Sequence, residues 1–326
     1  MIGSKEGAGY ARHAKGLAKG LRELGHEVEW GVGPRKEAHV LVVPPLSWPV
    51  FRRHENTLGC AVWEGSRAPY AYVHPLQYAR MLVSPSLHSA RAFHKTLKED
   101  FGRDRKITVI PHGYDPSVFV PGEKTEEPVI LFVGGWSKGF DDRRKLHIAL
   151  RAYDLIDDPD VKFVIKDSPY PFPEHLIKRM NLKNKNILVN KQYLSDEQMA
   201  RLYQSASVLV EPTGAEGFCL PILEAYACGV VPVTNVFGGQ EELMKKLGMG
   251  KYLVRKGEKY PAVDGWGEGN VWFEPSVEEY AVKMMKALKD SSGFKPSYGV
   301  LEGFSWKNIA KEYAKILEGG DGGLEG

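Results

Sequence analysis

The 326-residue chain has only three cysteines, Cys60, Cys219 and Cys228, an odd number without metal-type spacing, which argues against both a disulfide framework and a zinc site. No apolar run approaches the ~20 residues needed to span a bilayer. The first nine residues are polar and glycine-rich rather than charged and then apolar, so no secretory signal is read and a cytoplasmic protein is expected. A Gly-x4-Gly-Lys-Ser/Thr string is missing, which excludes a Walker-type ATPase. Eight of the ten histidines precede residue 121, but no pair has a helical metal spacing with a third ligand nearby, so no metal site is expected. Excess charge is scarce too, at a formal +3. Residues 1–120 carry 17 Lys+Arg against 11 Asp+Glu, a bias that suits peripheral contact with an anionic membrane surface or a phosphorylated acceptor and is too mild to point to nucleic acid.

The length exceeds the usual size of one hydrophobic core, so two domains are expected. Short Val/Ile-rich runs at 39–43, 60–63, 81–83 and 107–110, then at 129–133, 161–165, 187–189, 208–210 and 230–233, read as buried parallel strands. Helix-like stretches such as 144–156 and 196–205 separate them, which predicts an α/β fold, doubly wound twice over. Pro116, Pro121, Gly122 and Pro128 among charges mark an exposed connection. The expected domains are 1–122 and 123–300, with 301–326 a final amphipathic helix that packs back on the first domain and ends in a flexible tail.

The most informative stretch runs from Leu209 to Gly229. A strand ends near Glu211, a turn with Pro212 and Gly214 follows, and Pro221 falls at the first helical position, where no backbone N–H is needed. Gly217, Phe218, Cys219 and Leu220 then lie at a helix amino terminus, whose free N–H groups and partial positive charge suit an anion such as a diphosphate. Glu216 in the loop and Glu224 about one turn into the helix can both face the crevice at the strand carboxyl ends. Two carboxylates beside a diphosphate make sense where sugar and ribose hydroxyls need acceptors; taken singly, each is equally a helix-dipole partner or a solvated loop charge.

Glu216 and Glu224 with seven residues between them, inside Glu-Gly-Phe-Cys-Leu-Pro-Ile-Leu-Glu-Ala, resemble the signature of family-4 retaining glycosyltransferases, which have the two-domain GT-B fold with Rossmann-like halves facing across a cleft. Further pieces are similar in the same order: Gly9-Tyr-Ala-Arg12, Val109-Ile-Pro-His-Gly-Tyr-Asp115, Phe132-Val-Gly-Gly135, Leu194-Ser-Asp-Glu197 with Leu202-Tyr203, and Gly238-Gly239 followed by Glu242. The resemblance implies transfer of a sugar from a UDP- or GDP-sugar to a glycan, lipid or small acceptor, with no metal or other cofactor. It implies that Glu224 holds the ribose, that Glu216 holds a sugar hydroxyl, and that Gly217 to Leu220 offer N–H groups to sugar and phosphates. Lys145 corresponds to a lysine on the diphosphate. The arginine usual just after the strand glycine is replaced here by Gly135, and Arg144, with Arg143 or Lys138 as alternatives, is expected to supply the missing cation.

In the first half, Gly7-Ala-Gly-Tyr-Ala-Arg12 departs from a dinucleotide fingerprint because Arg12 stands where a glycine belongs. The resemblance puts Gly9 beneath the donor phosphates, although only Met1-Ile2 remains of the strand that precedes this loop in relatives. Glu64 and His112 each follow an expected strand directly, which makes both candidates, and Glu64 is expected to touch sugar or acceptor. Two other readings stay open at the level of sequence: a GT-B protein that binds the donor without transferring it, and a GT-B nucleotide-sugar epimerase.

Overall fold

The structure, a computed structural model, describes residues 9–31, 38–50, 56–134, 143–167, 172–262 and 269–319. In chain order these form α1 (Gly9–Glu23), β1 (His39–Leu41), β2 (Thr57–Cys60), β3 (Met81–Ser84), α2 (Leu87–Lys95), β4 (Ile107–Val109), β5 (Val129–Val133), α3 (Leu146–Ile156), β6 (Lys162–Lys166), α4 (Phe172–Met180) and β7 (Ile187–Asn190). There follow α5 (Asp196–Ser205), β8 (Val208–Glu211), α6 (Leu220–Ala227), β9 (Val231–Asn235), α7 (Gly239–Lys246), β10 (Leu253–Val254), β11 (Gly257–Pro261), β12 (Val271–Pro275), α8 (Val277–Ser291), α9 (Tyr298–Glu302) and α10 (Trp306–Leu317). The described parts of Met1–Asp115, Asp264–Asn270 and Glu302–Gly326 group as one unit, and those of Pro116–Val263 and Val271–Leu301 as a second.

The first unit holds a parallel sheet in the order β1-β2-β3-β4. Its last helix is tied in locally: Tyr114 N–H donates to Phe304 O at 2.9 Å, Trp306 N–H to Tyr114 O at 3.2 Å, and the Ser305 hydroxyl caps α10 by accepting from Asn308 N–H. The α10 helix then lies against α1 so closely that glycine is required. A Cβ at Gly16 would stand 2.0 Å from the Trp306 ring, and one at Gly20 2.3 Å from the Trp306 carbonyl oxygen. Leu17, Val83, Ile110, Ile309 and Tyr313 close the core around this contact. One expected strand moves: the run at 60–63 contributes only Cys60, because β2 begins at Thr57. Beyond Ala61 the backbone turns to side chains, Val62 N–H donating to the Tyr10 hydroxyl and Trp63 N–H to the Ser89 hydroxyl. Glu64 therefore sits past the end of the ladder rather than at it.

The second unit is a six-stranded parallel sheet in the order β10-β9-β8-β5-β6-β7. The central strand β5, Val-Ile-Leu-Phe-Val, is buried at every residue, as a strand covered on both faces must be; at the edge, β7 leaves Leu188 half exposed. The chain proceeds outward through β6 and β7, returns to place β8 on the other side of β5, and continues to β9. Strand order reverses between β5 and β8, and the carboxyl ends of these two strands form the crevice where open α/β sheets take ligands. Two local expectations shift. The helix expected at 144–156 starts at Leu146, because Lys145 takes a left-handed conformation (φ +50°). Pro221 is the second residue of α6, not the first. The antiparallel hairpin β11–β12 is a feature not expected from the sequence.

Candidate donor site

Four charged side chains converge at the reversal point of the second unit. Arg143 and Arg144 follow β5 on the segment leading into α3, Glu211 is the last residue of β8, and Glu216 lies in the loop from β8 to α6. Arg143 Nη1 donates to Glu216 Oε2 at 2.9 Å and to the Ala215 carbonyl at 2.8 Å, and Arg144 Nη1 donates to the same Glu216 oxygen at 3.1 Å. The loop is fixed from three sides: Gly214 N–H donates to Arg143 O, Phe273 N–H to Gly214 O, and Gly239 N–H to Glu216 O. Two guanidinium groups on one carboxylate oxygen, in a loop so pinned, make a rigid and mostly dry cluster.

The two acids in it behave oppositely. Burial would raise the Glu216 pKa, but Arg143 and Arg144, with the Gly217 N–H, outweigh it and hold the group below its ordinary value. Glu211 is 1% exposed, its oxygens lack a full hydrogen bond, and the nearest guanidinium nitrogen, Arg144 Nη1, is 3.8 Å away. Burial pushes its pKa up to about 8 against the pull of Arg144, and Glu216 adds to the rise, so Glu211 is neutral at neutral pH. The sequence marks Glu211 only as a strand end. What distinguishes it is a carboxylate in an otherwise apolar strand, Val-Leu-Val-Glu.

The expected phosphate-binding stretch opens α6. Cys219 precedes the helix with φ +76°, a conformation that costs a non-glycine residue on the order of 1 kcal/mol or more and that concentrates at functional sites. Phe218, Cys219 and Leu220 are buried, and the Gly217 N–H is turned to the Glu216 carboxylate. Glu224, 3% exposed, accepts a hydrogen bond from the Tyr203 hydroxyl of α5 at 3.1 Å, so a carboxylate inside an apolar helix is anchored by the neighbouring helix. The hydroxyl of Ser195 and the side chain of Gln198 close a capping box on α5 and set the helix that carries Tyr203.

Lys145 lies elsewhere in the cluster. It is 2% exposed, its Nζ is 2.7 Å from Glu274 Oε2 and bonds the Tyr260 hydroxyl, and it stands over the Tyr260 and Trp272 rings at 4.8 and 5.6 Å. Glu274 also takes His147 Nε2 at 3.0 Å; burial would raise its pKa, but His147 and Lys145 hold it below the ordinary value. The hairpin β11–β12 thus supplies the lysine's partners, Tyr260, Trp272 and Glu274, none of which the sequence singles out.

In the first unit, Gly9 is the first residue of α1, and a Cβ there would meet open space. The Glu64 carbonyl accepts from His88 Nε2 at 2.8 Å, and the Glu64 charge lies near the Tyr10 and Tyr72 hydroxyls; burial pushes both pKa values up, with Tyr72 and then Glu64 adding to the rise at Tyr10 and Glu64 adding to it at Tyr72. His112 is buried edge-on to His13 at 4.5 Å between ring centroids, and His13 in turn bonds the Tyr313 hydroxyl at 3.1 Å. Gly135, Lys138 and Met1-Ile2 lie outside the described residues. Among the described residues no three His, Cys, Asp or Glu side chains gather to hold a metal ion. An Asp-x-Asp string, a pattern that can hold a metal, occurs at Asp158-Pro-Asp160, but it is a local turn in which Asp160 N–H donates to Asp158 Oδ1 at 3.0 Å.

Comparison with known proteins bears on this site directly. The sequence is 26% identical over 387 aligned positions to an uncharacterized glycosyltransferase of Methanocaldococcus jannaschii, covering 95% of this chain and 94% of the relative. It is 26% identical over 207 positions to the MMP alpha-(1->4)-mannosyltransferase of Mycolicibacterium hassiacum, covering 62% of this chain and 50% of that one. The fold matches an alpha,alpha-trehalose-phosphate synthase (UDP-forming) from Burkholderia xenovorans with a TM-score of 0.63 at 15% identity, over 95% of this chain and 78% of that one, a GT-B likeness. Residues 115–296, more than half of the chain and the whole of the donor cluster, match the family described as glycosyl transferases group 1. The protein belongs to that family and is a glycosyltransferase of GT-B fold.

Proposed function

We propose that the protein is a retaining, metal-independent transferase that moves a sugar from UDP or GDP to a glycan, lipid or small acceptor. The observation that carries this is the Arg143–Arg144–Glu216 cluster at the sheet reversal point, beside the start of α6. A nucleotide diphosphate leaves with its charge spread over the phosphates, and preorganised guanidinium and helix N–H groups stabilise that charge as it develops. Arg143 and Arg144 thus take the role of the arginine for which Gly135 stands. Lys145 is the second source of charge, released from Glu274 to the phosphates.

Glu216, kept ionised by the arginines, is the acceptor for a hydroxyl of the transferred sugar. Glu224, fixed by Tyr203, takes the ribose hydroxyls, and the N–H groups of Gly217 to Leu220 take the sugar and phosphates. Acceptor and leaving phosphate then share one face of the sugar, the phosphate helping to deprotonate the acceptor as an oxocarbenium-like state forms. Glu64 and Gly9 are the contributions proposed for the first unit, whose basic surface suits an acceptor on the cytoplasmic face of a membrane. The mannosyltransferase relative supports a hexose as the transferred group.

A thermal-shift panel of UDP, GDP, ADP and their sugars tests this, because a ligand bound to the folded state raises its stability by mass action. One nucleotide series is expected to stabilise the protein with and without EDTA. No shift with any of them at millimolar concentration contradicts the assignment.

A further inference from the structure

Glu211 plays no part in the chemistry above, yet it ends the strand at the centre of the donor cluster. Its carboxyl group is 1% exposed, lacks a full hydrogen bond, and lies 3.8 Å from a guanidinium nitrogen that binds a different acid. At 3.8 Å the pair is too open for a hydrogen bond, and the Val133 backbone N–H is the carboxyl's other polar neighbour. Around it stand Arg143 and Arg144 from the segment before α3, Glu216 from the following loop, Cys219 at the start of α6, and Tyr280 of α8. A purely structural residue there would be served better by glutamine, since a buried acid without a full hydrogen bond costs stability whenever it ionises.

We propose that Glu211 is a positioning residue for the donor diphosphate: as a neutral acid it leaves Arg144 turned to the ligand side, and as an anion it competes with the diphosphate for Arg144. The proposal rests on the cluster being the donor site. Ionisation adds one negative charge beside Arg144 whatever else surrounds that arginine, so the effect is a difference between two states of one group. Taking that charge to be about 10 Å from the phosphates, with an effective dielectric of about 20, nucleotide affinity falls on the order of tenfold. The group titrates near pH 8, above the range in which nucleoside diphosphates complete their own ionisation.

Calorimetric titration of the full chain with UDP, GDP and ADP between pH 7 and pH 9.5 tests this. The wild-type Kd for the nucleotide that binds is expected to rise on the order of tenfold across that range, with proton uptake on binding at pH 8.5 seen in buffers of different ionisation enthalpy. In Glu211→Gln, which keeps the shape of the neutral acid, the affinity stays level over the same range and no proton is taken up. A level wild-type profile overturns the proposal without any variant, and Glu211→Leu, which cannot ionise either, takes the place of Glu211→Gln if the latter does not fold. A level wild-type profile without proton uptake, or a fall that Glu211→Gln shares, overturns the proposal. If none of the three nucleotides binds at pH 7, the donor-site assignment fails, and this proposal with it.

Discussion

Glu211 makes a second, ligand-free demand on the protein: its stability must fall as pH rises. In the unfolded chain the group titrates near 4.5, and in the folded chain burial moves it to about 8. Below pH 4.5 both states are protonated and no penalty exists. Between these values the unfolded chain has released the proton while the folded one retains it, so unfolding releases a proton and its free energy drops by about 1.4 kcal/mol per pH unit. Above pH 8 the slope vanishes. The full window is worth on the order of 5 kcal/mol, and the part between pH 5.5 and pH 9 about 3 kcal/mol. The arginine-paired Glu216 and the Lys145-paired Glu274 have depressed pKa values, so their contribution is present above about pH 4.5 and is lost only as pH falls further. His13, pushed well below its ordinary value by burial and then by His112, favours the folded state increasingly as pH rises to about 6.5. Both of these effects are common to the wild type and Glu211→Gln and cancel in the difference. Urea unfolding of the two proteins at pH 5.5, 7 and 9 should therefore show Glu211→Gln gaining about 3 kcal/mol on the wild type across the range. Parallel pH profiles refute the neutral buried acid.

Four further outcomes follow from named contacts. Glu216→Gln removes the charge that Arg143 and Arg144 share and is expected to slow transfer about 100-fold or more while nucleotide affinity changes less; steady-state kinetics on the donor separate the two effects. Glu224→Gln keeps the Tyr203 contact but halves the acceptor capacity for ribose, and should weaken nucleotide binding about 10- to 100-fold by titration calorimetry. Gly16→Ala forces a methyl group into the Trp306 ring and is expected to cost about 1–3 kcal/mol or more in denaturant unfolding, whereas an alanine variant as stable as the parent contradicts the α1–α10 packing. Transfer should persist in EDTA; activity lost to the chelator and restored by magnesium or manganese contradicts a metal-free site.

Much of the second unit is legible in the sequence because its physics is local. The five-residue run of β5 is apolar throughout since both faces are covered, α5 matches its expected bounds through a capping box encoded within four residues, and the Glu216–Glu224 segment carries its own strand, loop and helix signals. What is not legible depends on order in space. Nothing in the periodicity says that β8 returns to lie beside β5, and that adjacency alone brings Arg144 to Glu216 and Glu211. The strands of β11–β12 read Gly-Glu-Lys-Tyr-Pro and Val-Trp-Phe-Glu-Pro, with proline and charge where a strand pattern would alternate, so the hairpin and its hold on Lys145 escape prediction. In the first unit Gly59 packs under the Trp48 ring inside β2, a glycine in a strand that the apolar pattern does not mark, and β2 ends at Cys60, short of Glu64.

If the Glu216 cluster turns over a nucleotide-diphosphate sugar, the full chain must release nucleoside diphosphate. The full chain is incubated with a panel of UDP- and GDP-sugars, with and without candidate glycan, lipid and small acceptors, and release is followed beside Glu216→Gln. Release is expected from one donor series, slowed about 100-fold or more in the variant. Release at equal rates from both proteins, or from neither across the panel, contradicts it.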